Sequence, residues 1–308
     1  MELIRGIYNL RPRHSNCVAT IGNFDGVHLG HQHVLEQLAN KAKQFGCPSA
    51  VITFEPQPLE YFAPESAPAR LMRLRDKVQI LKRDAVDRIL CLRFNKALAS
   101  MPYQDFIEQV LVKGLGVRYL VVGDDFRFGK NREGTFNHLV EAGKEHNFEV
   151  VNMPTFNVEG ERVSSTRIRN ALVAGEFDDV QRMLGHHYKM CGRVAHGEKL
   201  GRELGFPTAN IHIHRKVTPL HGIYVVTVSG LNDKPVEGVA SIGTRPAVNG
   251  KKVILEVFLF DFNQMIYGKQ LEVSFLKKLR DELPFDSLDA LKEQIAIDVE
   301  QAQAFFAK

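Results

Sequence analysis

The feature that most constrains this chain is a change of periodicity near residue 185. Before it, short apolar runs alternate with helical spacing. "CVATIG" (Cys17 to Gly22), "SAVITFEP" (Ser49 to Pro56), "VDRILCLRF" (Val86 to Phe94), "VRYLVVGDDF" (Val117 to Phe126) and "FEVVNMP" (Phe148 to Pro154) read as strands. Arg73 to Arg83, Pro102 to Lys113 and Phe136 to Asn147 read as helices between them. Such alternation predicts a parallel α/β sheet, whose ligands bind beyond the carboxyl ends of its strands. From Met190 the grammar is all-β: "GIYVVTVSG", "VEGVASIG", "KVILEVFLF" and "QLEVSFL" are extended segments joined by turns. A last helix from about Ser287 carries Leu288, Leu291, Ile295, Val299, Ala302 and Phe306 as a stripe that packs on the strands. A chain of 308 residues is long for one core, so the expected domains are 1–185 and 186–308.

Composition narrows the class. With 44% hydrophobic and 25% charged residues the chain suits a soluble globular protein, not a disordered one. The net charge of +4, without a dense Lys/Arg block, favours phosphate metabolites as much as nucleic acid, and no nucleic-acid partner is expected. Cys17, Cys47, Cys91 and Cys191 are scattered without metal spacing, which fits free thiols in a cytoplasmic setting. No apolar stretch matches a signal peptide or a membrane span, so no membrane partner is expected, and the chain is expected to be a monomer or weak homo-oligomer.

Chemistry concentrates first in "TIGNFDGVHLGHQHVLEQL". From Gly30, Val34, Leu35, Leu38, Ala42 and Phe45 recur at helical spacing and Gly46 stands at the C-terminal cap position. His28 and His31 therefore sit near a helix N-terminus, where unpaired N–H groups and the helix dipole favour an anion such as phosphate. Gly22, Gly26 and Gly30 allow close backbone approach, with Asn23 and Asp25 beside them. Either histidine alone reads equally as a helix cap or a packed loop residue. "VSSTRIRNAL" places Ser164, Ser165 and Thr166 before Arg167 and Arg169 as another helix begins, again an arrangement for an anion or simply a capped helix.

Together, "GNFDGVHLGH" and "SSTRIR" resemble the HxGH and SSTxxR motifs of the nucleotidylyltransferase superfamily. That resemblance implies a Rossmann-like parallel sheet. It also implies that Gly22, Asn23, Phe24, His28, His31, Ser164, Ser165, Thr166 and Arg169 bind ATP. There a substrate phosphate attacks the α-phosphorus and pyrophosphate leaves, with positioning and charge neutralisation by His28, His31, Arg169 and magnesium. "GDDFRFGKNREG" resembles the flavin-handling loop of the prokaryotic FAD synthetases, which makes Asp125, Phe126, Arg127 and Phe128 candidate flavin contacts. Phe126 or Phe128 reads equally as a core aromatic.

"GEKLGRELGFPTAN" (Gly197 to Asn210) is glycine-rich but lacks the Lys-Ser/Thr ending of a P-loop. It closely resembles the GxLGFPTAN stretch of riboflavin kinases, followed in family order by "GIYVV", "SIGTRP", "LEVFLFDF", "IYGK" and "LRDE". This implies a six-stranded barrel in which Gly201, Thr208 and Asn210 bind ATP, Thr208 and Asn210 hold Mg2+, and Gly205, Phe206 and Arg280 contact flavin. Glu256 matches the family's proton-accepting glutamate; a solvent-facing strand glutamate is the plain alternative, as a surface ion pair is for Arg280. Val257 and Phe258 stand where the family often has histidine or threonine, and Ala247 where threonine is frequent. Both motif sets on one chain resemble the bifunctional riboflavin kinase/FAD synthetase family. The resemblance implies riboflavin, FMN and ATP as substrates, with FMN and FAD as products.

Overall fold

The computed structural model describes residues 1–307 apart from 124, 154, 198–200, 202–203, 216 and 248–249; for 245–247 and 250–252 it describes the backbone alone. Contacts divide the chain into two compact units, Met1–Pro68 with Met72–Ser164, and Ala69–Leu71 with Ser165–Lys308.

The first unit runs β1 (Glu2–Arg5), β2 (Cys17–Ile21), α1 (Leu29–Phe45), β3 (Ser49–Glu55), α2 (Pro58–Phe62), α3 (Leu74–Arg83), β4 (Arg88–Arg93), α4 (Lys96–Ala99), α5 (Tyr103–Phe106), β5 (Val117–Gly123), α6 (Phe136–His146) and β6 (Glu149–Met153), then the hairpin β7 (Asn157–Val158) and β8 (Glu161–Arg162). Its six strands form a parallel sheet in the order β1-β4-β3-β2-β5-β6. Strand residues alternate between two cores: Cys17, Ala19 and Ile21 pack into one and Val18 into the other. Strands buried on both faces explain why each read as a continuous apolar run. The segment expected as one helix from Pro102 to Lys113 is α5 followed by a π-helical stretch, Ile107–Val112. The short edge strand β1 was not anticipated.

The second unit contains α7 (Ser165–Ala174), α8 (Phe177–Leu184), β9 (Tyr188–Ala195), β10 (Thr208–His212), β11 (Gly222–Ser229), β12 (Val236–Ala247), β13 (Gly250–Leu259), β14 (Gln270–Arg280) and α9 (Leu288–Phe306). The strands close an antiparallel barrel in the order β10-β13-β12-β11-β14-β9. On β13, Val253, Leu255 and Val257 are buried, whereas Glu256 and Phe258 lie on the opposite, half-buried face. Phe258 and Phe260 pack with Val299, Ala302 and Phe306 of α9, so the helix covers part of that outer face. Phe177 of α8 packs edge-on to Tyr224 of β11 at 5.6 Å.

Candidate active sites

In the first unit the sheet changes direction of winding at β2, which pairs with β3 on one side and β5 on the other. Ligands of such sheets bind at this switch, beyond the strand ends. The loop after β2 holds the histidines, and the loop after β5 begins the "GDDFRF" stretch. Phe24 and Val27 adopt φ of +48° and +39°, a region unusual for bulky side chains. Both are buried in the core, which holds the turn in that shape. The Phe24 side chain is thus committed to the core.

α1 begins at Leu29, one residue before the expected start at Gly30, with His28 as its N-cap. The His28 Nδ1 accepts the His31 N–H at 3.3 Å, so the neutral ring carries its proton on Nε2. The two imidazoles stack with centroids 3.7 Å apart, and the Phe24 ring lies 4.7 Å from His31. Gly30 keeps this contact open: a Cβ at that position would stand 3.2 Å from Cε1 and Nδ1 of His28, so the ring would have to give way. Burial pulls the His28 pKa down to about 4, against the attraction of Asp25, and holds His31 well below the ordinary histidine range. Burial therefore favours the neutral form of both rings at neutral pH, whereas an approaching triphosphate would favour the charged form. His31 Nδ1 is buried without a hydrogen-bond partner, a costly state that suits a ligand-binding turn.

Two buried charges brace this turn. Asp25 Oδ1 accepts the Met72 N–H at 3.1 Å, and Lys77, only 1% exposed, donates from Nζ to the Asn23 carbonyl. Sequence reading missed Lys77. Its signal was its place in α3, four residues before buried Leu81 on the apolar face.

The loop after β5 separates its candidates. Phe128 is buried against Phe106, and Phe126 stacks on Phe128 at 5.4 Å while remaining half-buried. Phe128 is therefore the core aromatic of the pair. Asp125 and Arg127 are exposed; Asp125 pairs with Arg162 at 3.3 Å. Ser164 ends the first unit, whereas Ser165, Thr166 and Arg169 open α7 in the second. There Arg169 Nε donates to the Ala69 carbonyl at 2.6 Å.

In the second unit a cavity of about 310 Å³ gathers Gly201, Phe206, Thr208, Asn210, Glu256 and Arg280, six of the residues singled out from sequence. Barrel register explains the gathering. Asn210 lies directly across from Glu256, and Ser241 flanks Glu256 from β12, so all three share one face. Gly201 approaches closely enough that a Cβ would stand 3.2 Å from Thr208 Oγ1. Gly205 is absent from the lining; its φ of +91° makes the turn that delivers Phe206. Part of the "GEKLGRELGFPTAN" motif, residues 198–200 and 202–203, lies outside the described residues.

Arg280 forms a two-pronged ion pair with Asp298 of α9, Nε to Oδ1 at 2.7 Å and the terminal nitrogen to Oδ2 at 2.6 Å, and Gln294 also donates to Asp298. The surface pair entertained from sequence is thus a buried one, since Asp298 is hidden from solvent. Asp298, Leu291 and Ile295 line the cavity and were assigned only to packing or not singled out. Leu288 of the same stripe is exposed.

These geometries agree with what the chain resembles. A family model for FAD synthetase matches residues 10–167, and one for riboflavin kinase matches residues 184–306. The chain is 49% identical over 306 residues to the bifunctional riboflavin kinase/FMN adenylyltransferase of Haemophilus influenzae, covering 99% of each. It is 50% identical over 308 residues to the protein of that name from Pseudomonas fluorescens, covering 100% of this chain and 98% of the relative. A crystal structure described as a macrolide-efflux protein from Streptococcus pneumoniae superposes with a TM-score of 0.81 at 31% identity, over 97% of each chain. Among the described residues of the present chain no helix is long and apolar enough to cross a membrane. The order of the two matched models, and identity near one half along the whole length, place this chain in the bifunctional riboflavin kinase/FMN adenylyltransferase family.

Proposed function

We propose that the C-terminal half phosphorylates riboflavin to FMN with ATP and that the N-terminal half transfers AMP from ATP to FMN, giving FAD and pyrophosphate. The observation that carries the kinase reading is the cavity in which Glu256 stands across from Asn210 and beside Thr208 and Arg280. In this reading Glu256 accepts the proton of the ribityl hydroxyl as its oxygen attacks the γ-phosphorus, and ADP leaves. Phe206 and Arg280 border the flavin, with Gly205 shaping the turn, and Gly201 gives the ATP phosphates close access to the backbone.

Thr208 and Asn210 project from one face of β10 and offer a hydroxyl and an amide oxygen, the hard donors that magnesium takes alongside phosphate oxygens. The residues fit that ion. When bound it supplies charge neutralisation to the phosphates.

For adenylylation, we assign ATP phosphate binding to His28, His31 and the backbone of Gly22, Asn23 and Phe24, and to Ser164, Ser165, Thr166 and Arg169. Asp125, Phe126 and Arg127 are the flavin contacts of this half, with Phe128 supporting Phe126 from the core. An FMN phosphate oxygen attacks the α-phosphorus while these groups hold the nucleotide in line. By motif the halves are 1–185 and 186–308, although α7 and α8 pack with the barrel unit. The remaining parts of the reading are a cytoplasmic, monomeric or weakly associating enzyme with no nucleic-acid partner. Incubation of the purified chain with riboflavin, ATP and magnesium, followed by chromatography, tests the function: FMN should appear first and FAD after it. FAD formation from supplied FMN without any phosphorylation of riboflavin would contradict it.

A further inference from the structure

Ala69–Leu71 is a short irregular segment that belongs to the barrel unit although its neighbours in sequence do not. Its three consecutive carbonyls are all claimed by side chains of that unit. Arg169 Nε donates to Ala69 O at 2.6 Å. Arg215, in the loop after β10, donates to Arg70 O at 2.6 Å and to Leu71 O at 2.9 Å through its two terminal nitrogens. The buried Tyr188 hydroxyl donates to Leu71 O at 3.0 Å and accepts from Arg215 at 2.9 Å.

Carbonyls that are partly withdrawn from water need donors, and a planar guanidinium that binds two successive carbonyls fixes their spacing as a single ammonium cannot. The Ala69 carbonyl, adjacent in the chain, in turn sets the plane of the Arg169 guanidinium through Nε. Arg215 and Tyr188 belong by sequence to the kinase half, and neither lines the kinase cavity. Arg169 belongs by motif to adenylylation.

We infer that Arg215 and Tyr188 are positioning residues for FMN adenylylation, acting through the Ala69–Leu71 segment to orient Arg169. The inference rests on the reading of Arg169 as a ligand of the ATP phosphates. It makes part of the kinase half a structural element of the other reaction, while riboflavin phosphorylation does not depend on it.

The test uses the full-length chain with Arg215→Ala, Arg215→Lys, Tyr188→Phe and Arg169→Ala, assayed for both reactions with kcat and KM for ATP resolved. Arg215→Ala should raise the KM for ATP in FMN adenylylation about tenfold, as loss of a charge-assisted hydrogen bond does. Tyr188→Phe should raise it about threefold, and Arg215→Lys should recover only part of the loss. Riboflavin phosphorylation by these three variants should stay within about twofold of the parent. If Arg169→Ala kept parental adenylylation, the reading of Arg169 would fall and the inference with it. If Arg169→Ala were impaired while Arg215→Ala and Tyr188→Phe were not, the inference alone would fall. Loss of both reactions in step with a lowered melting temperature would also overturn it, leaving Arg215 a merely structural residue. Should Arg215→Ala not fold, Tyr188→Phe, which removes only a hydroxyl, decides the matter in the same way.

Discussion

Arg280 and Asp298 meet through two parallel hydrogen bonds of 2.7 and 2.6 Å, joining the end of β14 to the middle of α9 at the wall of the kinase cavity. A guanidinium held in this way presents a fixed plane, so on the proposed reading of Arg280 as a flavin contact Asp298 orients it. Asp298→Asn leaves the arginine without its charged partner. Loss of one partner of a buried pair costs about 3–5 kcal/mol, so the melting temperature should fall. In variant protein that remains folded, the KM for riboflavin should rise about tenfold while FMN adenylylation is unchanged; steady-state assays of both reactions check this.

Gly30→Ala should impair adenylylation alone. The added methyl group would press on the His28 ring from 3.2 Å, and both ring and turn are already buried. Displacement of a nucleotide-positioning group by a fraction of an ångström should lower kcat/KM for FMN roughly tenfold or more. Riboflavin phosphorylation by the same preparation serves as the internal control.

Acid should weaken the first unit through its histidines. The His28 pKa is about 4 in the folded chain, below the unfolded value of about 6.5, and His31 is depressed in the same direction. The unfolded state therefore binds more protons across this interval. The contribution is intact above pH 6.5 and is lost as pH falls toward 4. Thermal unfolding between pH 7.5 and 4.5 should show a smaller loss for His28→Ala than for the parent. The approach of a triphosphate reverses the balance at these rings, so ATP binding near pH 6 should take up protons, measured by calorimetry in buffers of different ionisation enthalpy.

Helix α8 should stabilise an isolated barrel. Phe177, Val180, Met183 and Leu184 are all buried, and burial of each large apolar side chain is worth about 1.5–3 kcal/mol. A fragment beginning at residue 165 should melt higher than one beginning at 186, and both should show riboflavin kinase activity if they fold. Equal melting temperatures would contradict the packing role of α8.

The parts legible in sequence are those written locally. Gly46 closes α1 in the left-handed conformation and Ser287 caps α9, because capping depends on residues within one helical turn. The β13 alternation around Glu256 was likewise visible, since strand period alone fixes which residues share a face. Asp298 and Lys77 were not legible. Each is one charged residue among apolar positions of an amphipathic helix, and its meaning comes from a partner on another element, Arg280 or the Asn23 carbonyl. The burial of His28 and His31 was not legible for the same reason: a helix N-terminus can be read from spacing, but the burial that lowers the pKa of both rings depends on the surrounding core.

The central claim is that one chain carries two independent chemistries, and paired variants of its reacting groups test it most directly. His28→Ala with His31→Ala should reduce adenylylation of supplied FMN by about 10² to 10³ while leaving riboflavin phosphorylation near the parental rate. Glu256→Gln should reduce riboflavin phosphorylation by about 10² to 10⁴ and spare adenylylation. Far-UV spectra and melting temperatures matching the parent must accompany both results. Full kinase activity in Glu256→Gln would refute the base assignment, and loss of both reactions in the folded histidine variant would refute the two-site account.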